Sequence, residues 1–117
     1  MKSLAFISFL FLAQNVLAAT RVECPLYKPK TELSVNVTSG DVVEVQGHEF
    51  ISGHRWMSLD SLEAKMLEPA KVGSTNTIAF FIDTKNQNER SKTYMFQYKR
   101  PWETTALSEC NVTVVRN

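Results

Sequence analysis

The feature that most constrains this chain is an alternation of apolar and polar residues with period two, repeated in segment after segment. Successive side chains of a strand point to opposite faces, so such alternation marks strands with one buried and one wet face. Leu33, Val35 and Val37 alternate with Ser34, Asn36 and Thr38. Val43 and Val45 continue the pattern after a Ser39-Gly40-Asp41 turn. Ile78, Phe80 and Ile82 alternate with Thr77, Ala79 and Phe81; Tyr94, Phe96 and Tyr98 alternate with Thr93, Met95 and Gln97. Cys110, Val112 and Val114 alternate with Asn111, Thr113 and Val115. Trp56 starts a further strand after a loop at Gly53, and Asp83 to Arg90 is a polar, Asn-containing connection.

About seven short strands separated by turn signals predict an all-β, immunoglobulin-like sandwich. Its expected core is Leu33, Val35, Val37, Val43, Val45, Trp56, Ile78, Phe80, Ile82, Phe96, Val112 and Val114. Arg21 to Lys30, with Pro25 and Pro29, reads as an extended arm. Ser58 to Leu67 supports two readings. Leu59, Leu62 and Met66 have helical spacing behind a capping Ser58, and a strand with a turn fits as well.

The N-terminal segment has a different logic. Lys2 precedes the apolar run Leu4 to Leu12, and Val16-Leu17-Ala18 forms a small-residue cleavage site. Residues 1–19 therefore read as a cleaved signal peptide, with cleavage after Ala18 or Ala19, and 20–117 as one domain. An uncleaved anchor is the rival reading, but the run falls short of the ~20 apolar residues of a membrane span. No later segment is long and apolar enough to span a bilayer, so no membrane association is expected once the leader is gone. The expected location is outside the cell or in lysosome-like vesicles. Cys24 and Cys110 are the chain's two cysteines, and an oxidising route permits a disulfide between them; two free thiols are the alternative. Asn36-Val37-Thr38 and Asn111-Val112-Thr113 are N-glycosylation sequons on the outward phase of their strands.

Charge is nearly balanced, 13 Lys and Arg against 12 Asp and Glu, which argues against a nucleic-acid partner or a polybasic membrane surface. Catalytic constellations are equally hard to assemble. His48 and His54 lack the further donors of a metal site and read as exposed loop residues. Asp60 and Glu63 are neighbours on a polar stretch, where carboxylates are ordinarily just solvated. No phosphate loop and no GxSxG elbow occurs, so the expectation is no enzyme, no metal and no cofactor.

Arg100-Pro101-Trp102 follows directly on the strand ending at Lys99. Trp and Arg are enriched at binding hot spots, and a proline between them presets part of the loop. In isolation the tripeptide serves equally well as a strand end with Trp102 tucked against the sandwich. The run Tyr94 to Trp102, however, resembles the penultimate strand and loop of the chagasin family of cysteine protease inhibitors. Gly40 to Val45 resembles the family's second strand; the loop ending in Gly53, the strand carrying Trp56, Val72-Gly73-Ser74-Thr75 and the last strand follow in the family's order. The resemblance covers most of Leu33 to Asn117.

It implies a monomeric immunoglobulin-like inhibitor that blocks papain-like cysteine proteases reversibly and without covalent reaction. Three loops would enter the cleft: Glu49-Phe50-Ile51-Ser52-Gly53 in the centre, Gly73-Ser74-Thr75 on one side, and Arg100-Pro101-Trp102 on the other. The family's central Asn-Pro-Thr-Thr-Gly motif survives here only as Gly53, with Ser52 keeping a hydroxyl. The side loop has the single Gly73. These departures leave a second reading open, a non-inhibitory immunoglobulin-like module that binds another surface or secreted protein.

Overall fold

The computed structural model describes residues 20–26, 28–38, 40–50, 53–68 and 75–117. The leader expected over 1–19 lies outside the described residues. Eight strands form: β1 (Thr20–Cys24), β2 (Lys30–Val37), β3 (Val42–Glu49), β4 (Arg55–Ser58), β5 (Lys65–Glu68), β6 (Asn76–Asp83), β7 (Ser91–Lys99) and β8 (Ser108–Arg116). They make two four-stranded sheets, β1-β3-β6-β5 and β2-β8-β7-β4, called here sheets A and B.

The alternating segments form strands because their apolar phases meet in one core. Val43 and Val45 on β3 and Ile78, Phe80 and Ile82 on β6 face Val35, Val37, Tyr94, Phe96, Val112 and Val114 of sheet B. Phe80 and Phe96 touch across the sandwich with ring centroids 4.9 Å apart, in tilted geometry. Of the expected core, Leu33 alone is only partly buried; it packs against the cluster from edge strand β2. Tyr94 and Tyr98 are buried as well.

One expectation needs correction, and one open choice is resolved in favour of its strand-and-turn reading. The N-terminal arm is in part a strand: Thr20–Cys24 pairs in parallel with β3, from Thr20 opposite Val43 to Cys24 opposite Gly47. Pro25, which has no N–H to donate to a ladder, follows its last residue. Ser58 to Leu67 holds no helix. Its C-terminal part is β5, which pairs antiparallel with β6 through a register shift between Met66 and Glu68. The helical spacing of Leu59, Leu62 and Met66 had no partner face to bury: Leu59 and Met66 are exposed, and only Leu62 packs against the core. The polar connection after β6 contains a one-turn 3-10 helix, Thr84–Asn86.

Cys24 and Cys110 are joined in a disulfide, with Cα atoms 5.8 Å apart and 86 residues of separation. It links β1 of sheet A to β8 of sheet B, both sulfurs lying in the core. Closing so long a loop in the unfolded chain is worth on the order of 4 kcal/mol in the chain-entropy model.

Candidate functional site

Strand directions decide which connections share an end of the sandwich. β3 runs up to Glu49, which lies opposite Asn76 at the start of β6. Glu68 of β5 lies opposite Thr77, so the β5–β6 connection starts and ends there too. In sheet B, Arg55 pairs with Lys99 and Tyr98 with Ser108, so the β3–β4 and β7–β8 connections emerge at one level. The β1–β2 connection joins them, because the Ser108 hydroxyl donates to the Leu26 carbonyl and Glu109 N–H donates to the Pro29 carbonyl at 2.9 Å.

Tyr98 couples two of these loops. Its hydroxyl accepts the Phe50 N–H at 3.1 Å. Its ring stacks on His54 at 5.6 Å and meets Trp56 at 5.4 Å. His54 Nε2 also lies 3.7 Å from the Glu103 carboxylate, which bridges the β3–β4 loop to the β7–β8 loop. His54 is therefore a positioned side chain rather than a free loop residue. His48 is not in a loop at all: it sits on β3, 3.1 Å from Glu23 and 3.3 Å from the Thr77 hydroxyl.

The base of the β3–β4 loop is shaped by Glu49. Its side chain is 7% exposed, and its carboxylate accepts the Trp56 N–H at 2.8 Å. Burial pushes its pKa above the ordinary glutamate range, against the opposing effects of that hydrogen bond and of nearby Arg55. Trp56 itself fits only because Gly47 lies beneath it: a Cβ there would come within 2.6 Å of the indole nitrogen. That indole N–H donates to the His48 carbonyl at 3.0 Å. Gly53, near the end of the loop, has φ +85, a left-handed conformation that favours glycine.

Beyond this base, Phe50 is 42% exposed. Arg100 to Glu103 form a β-turn, with Glu103 N–H donating to the Arg100 carbonyl at 3.0 Å. Pro101 holds the second turn position, where its fixed φ is at home. Trp102 takes the next position and is 75% exposed, and Leu107, further along the same β7–β8 connection, is exposed as well. The reading in which Trp102 tucks against the sandwich is thus excluded. Ile51, Ser52, Gly73 and Ser74 lie outside the described residues. Thr75, Phe50, Pro25 and Leu26 line a hollow of about 420 Å3 at the same end. Another, of about 390 Å3, opens between edge strands β4 and β5, with Glu49 and Trp56 in its wall.

Other residues singled out from sequence have structural partners. Asp60 accepts the Met95 N–H at 2.8 Å, tying the end of β4 to β7. Among the described residues, no group of three or more His, Cys, Asp or Glu side chains is placed to hold a metal ion. Sequence reasoning missed Tyr98 and Glu103 as the parts that couple the loops. Tyr98 reads as one more inward aromatic of β7, and nothing in its spacing shows that its hydroxyl reaches the loop.

The two-sheet fold recurs in solved structures. Amebosin, solved in solution, superposes with a TM-score of 0.61 at 14% identity, over 86% of this chain and 99% of that one. The cysteine protease inhibitor EhICP2 from Entamoeba histolytica gives 0.54 at 16%, over 78% and 98%. The chain has the fold of a cysteine protease inhibitor. PbICP-C, solved in complex with falcipain-2, gives 0.54 at 9% identity, over 85% of this chain and all 100% of its own. The resemblance to chagasin-type inhibitors read from the sequence therefore holds at the level of fold. No protein-family model matches the chain. Comparison with curated proteins finds no match either.

Proposed function

We propose that this protein is a reversible, non-covalent inhibitor of papain-like cysteine proteases, acts as a monomer, reaches its target through the secretory pathway, and is not an enzyme. The observation that carries the reading is the exposed Trp102 on a proline-shaped turn, coupled through Tyr98 to an exposed Phe50 on the neighbouring loop. An aromatic already held out from a rigid turn loses little freedom on docking, so more of its contact energy appears as affinity. The fold shared with EhICP2, and with PbICP-C in its complex with falcipain-2, supports the same partner class.

In this reading the β3–β4 loop lies over the catalytic cysteine and excludes substrate. The β5–β6 connection and the Arg100-Pro101-Trp102 turn grip the two sides. Inhibition is steric, since the described cysteines are both in a disulfide and offer the protease no thiol to exchange. The test is a titration of the mature domain, beginning at Ala19 or Thr20, against a papain-like protease with a fluorogenic peptide. Stoichiometric loss of activity that returns on dilution is the expected result. Folded protein that leaves several such proteases untouched would instead indicate an immunoglobulin-like module with a different protein partner.

A further inference from the structure

The two sequons, separated by most of the sequence, are brought onto one face by the parallel pairing of β2 and β8. Asn36 lies opposite Val115 and Asn111 opposite Glu32, both on the outer face of sheet B. They are four register positions apart, about 13 Å along the strands. Between them the face is polar, with Glu32 and Ser34 on β2 beside Asn111 and Thr113 on β8, while Val115 and the exposed Met95 share the same face. The loop end and the outer face of sheet A carry no sequon.

The two sites differ in access. Asn36 is exposed, in an edge strand, and its sequon hydroxyl belongs to Thr38, exposed just beyond the strand's end. Asn111 lies in a strand hydrogen-bonded on both sides, between β2 and β7. Its amide Nδ2 donates to Glu32 at 3.2 Å, and its sequon hydroxyl, Thr113, is bonded to Thr93 at 2.9 Å. A transferase must draw the asparagine amide and the hydroxyl two residues on into its own site. Among the described residues, no side-chain hydrogen bond engages the Asn36 amide or the Thr38 hydroxyl, whereas the Asn111 amide and the Thr113 hydroxyl are both engaged.

We infer that the outer face of sheet B is a glycan-bearing face, on which Asn36 is modified readily and Asn111 only in chains caught before β8 is zipped between β2 and β7. The donor is a lipid-pyrophosphate-linked oligosaccharide. The amide nitrogen forms a bond to the anomeric carbon, the bond from that carbon to the pyrophosphate oxygen breaks, the lipid pyrophosphate leaves, and the amide gives up one proton to a base. Asn36 sits at the far end of β2 from the loop cluster, so its glycan shields the free edge of sheet B and leaves the loops bare.

The experiment is independent of any protease. The full chain, with its own leader, is expressed in a eukaryotic secretory host, and intact mass is read before and after peptide-N-glycosidase treatment. Expected are mostly singly modified chains with a minor doubly modified fraction. N111Q should be uniformly singly modified, and N36Q mostly unmodified. Dithiothreitol during synthesis keeps Cys24 and Cys110 apart and delays closure, so the doubly modified fraction should rise at least about twofold; Cys24→Ser should do the same. Chains with no mass loss on deglycosylation, or N36Q with undiminished glycan, would overturn the inference. Full occupancy of Asn111, or occupancy indifferent to both dithiothreitol and Cys24→Ser, would overturn its folding-competition half.

Discussion

Gly47 shows how one missing side chain shapes the loop end. It leaves room for the Trp56 indole, which then reaches the His48 carbonyl. Gly47→Ala should displace the indole and cost about 1–3 kcal/mol, the range for overpacking a core. A denaturant melt with an unchanged midpoint would refute this. Glu49 beside it is a pH-sensitive group. Its raised folded-state pKa means that the native protein holds the proton more tightly than the unfolded chain. Its favourable contribution is therefore full below the unfolded value and is lost as pH rises through the folded one. Glu49→Gln keeps an acceptor for Trp56 N–H and removes the titration. The Tm of the variant minus that of the parent should then grow as pH rises above the ordinary glutamate value. A difference that stays flat or shrinks would contradict the burial argument. Tyr98→Phe should cost about 1 kcal/mol from the lost Phe50 hydrogen bond while the His54 and Trp56 contacts remain.

At the scale of elements, the β7–β8 turn and the β1–β8 staple lend themselves to test. Trp102 is exposed and makes no core contact, so Trp102→Ala should leave the melting curve unchanged. If the proposed interface is right, the same change should weaken protease inhibition by roughly 2 kcal/mol, a hot-spot magnitude. Arg100→Ala should act in the same direction. Inhibition constants unaltered in both variants would move the interface elsewhere. The disulfide is a separate matter. Replacing Cys24 and Cys110 together by alanine should lower stability by roughly 2–5 kcal/mol, seen as a lower denaturation midpoint. The loss follows from the length of chain between them, 86 residues, and from the joining of two sheets by one bond.

For the whole molecule, the sandwich and most of its core were legible in the sequence. A buried face forces period-two alternation, and Val43, Val45, Ile78, Phe80, Ile82, Phe96, Val112 and Val114 lie on its inward phase, although in sheet A the opposite phase is covered too at Glu44 and Ala79. The reach of such patterning stopped at strands that bury little. β1 has only Cys24 fully buried, and β5 leaves Met66 and Leu67 exposed, so neither shows a clean hydrophobic face in sequence. The tripeptide Arg100-Pro101-Trp102 left two readings open in isolation, a docking turn or a strand end with a tucked indole, and the fold decided only that Trp102 is exposed. What sequence could not supply was any relation that depends on strand direction. The parallel pairing of β2 with β8 puts Asn36 and Asn111 on one face. The pairing of β4 and β8 with β7 brings Tyr98 under Phe50 and lets His54 approach Glu103. Local sequence determined which residues turn inward, since that follows from alternation along one strand. Tertiary structure alone decided which loops stand together, since that follows from how distant strands pair.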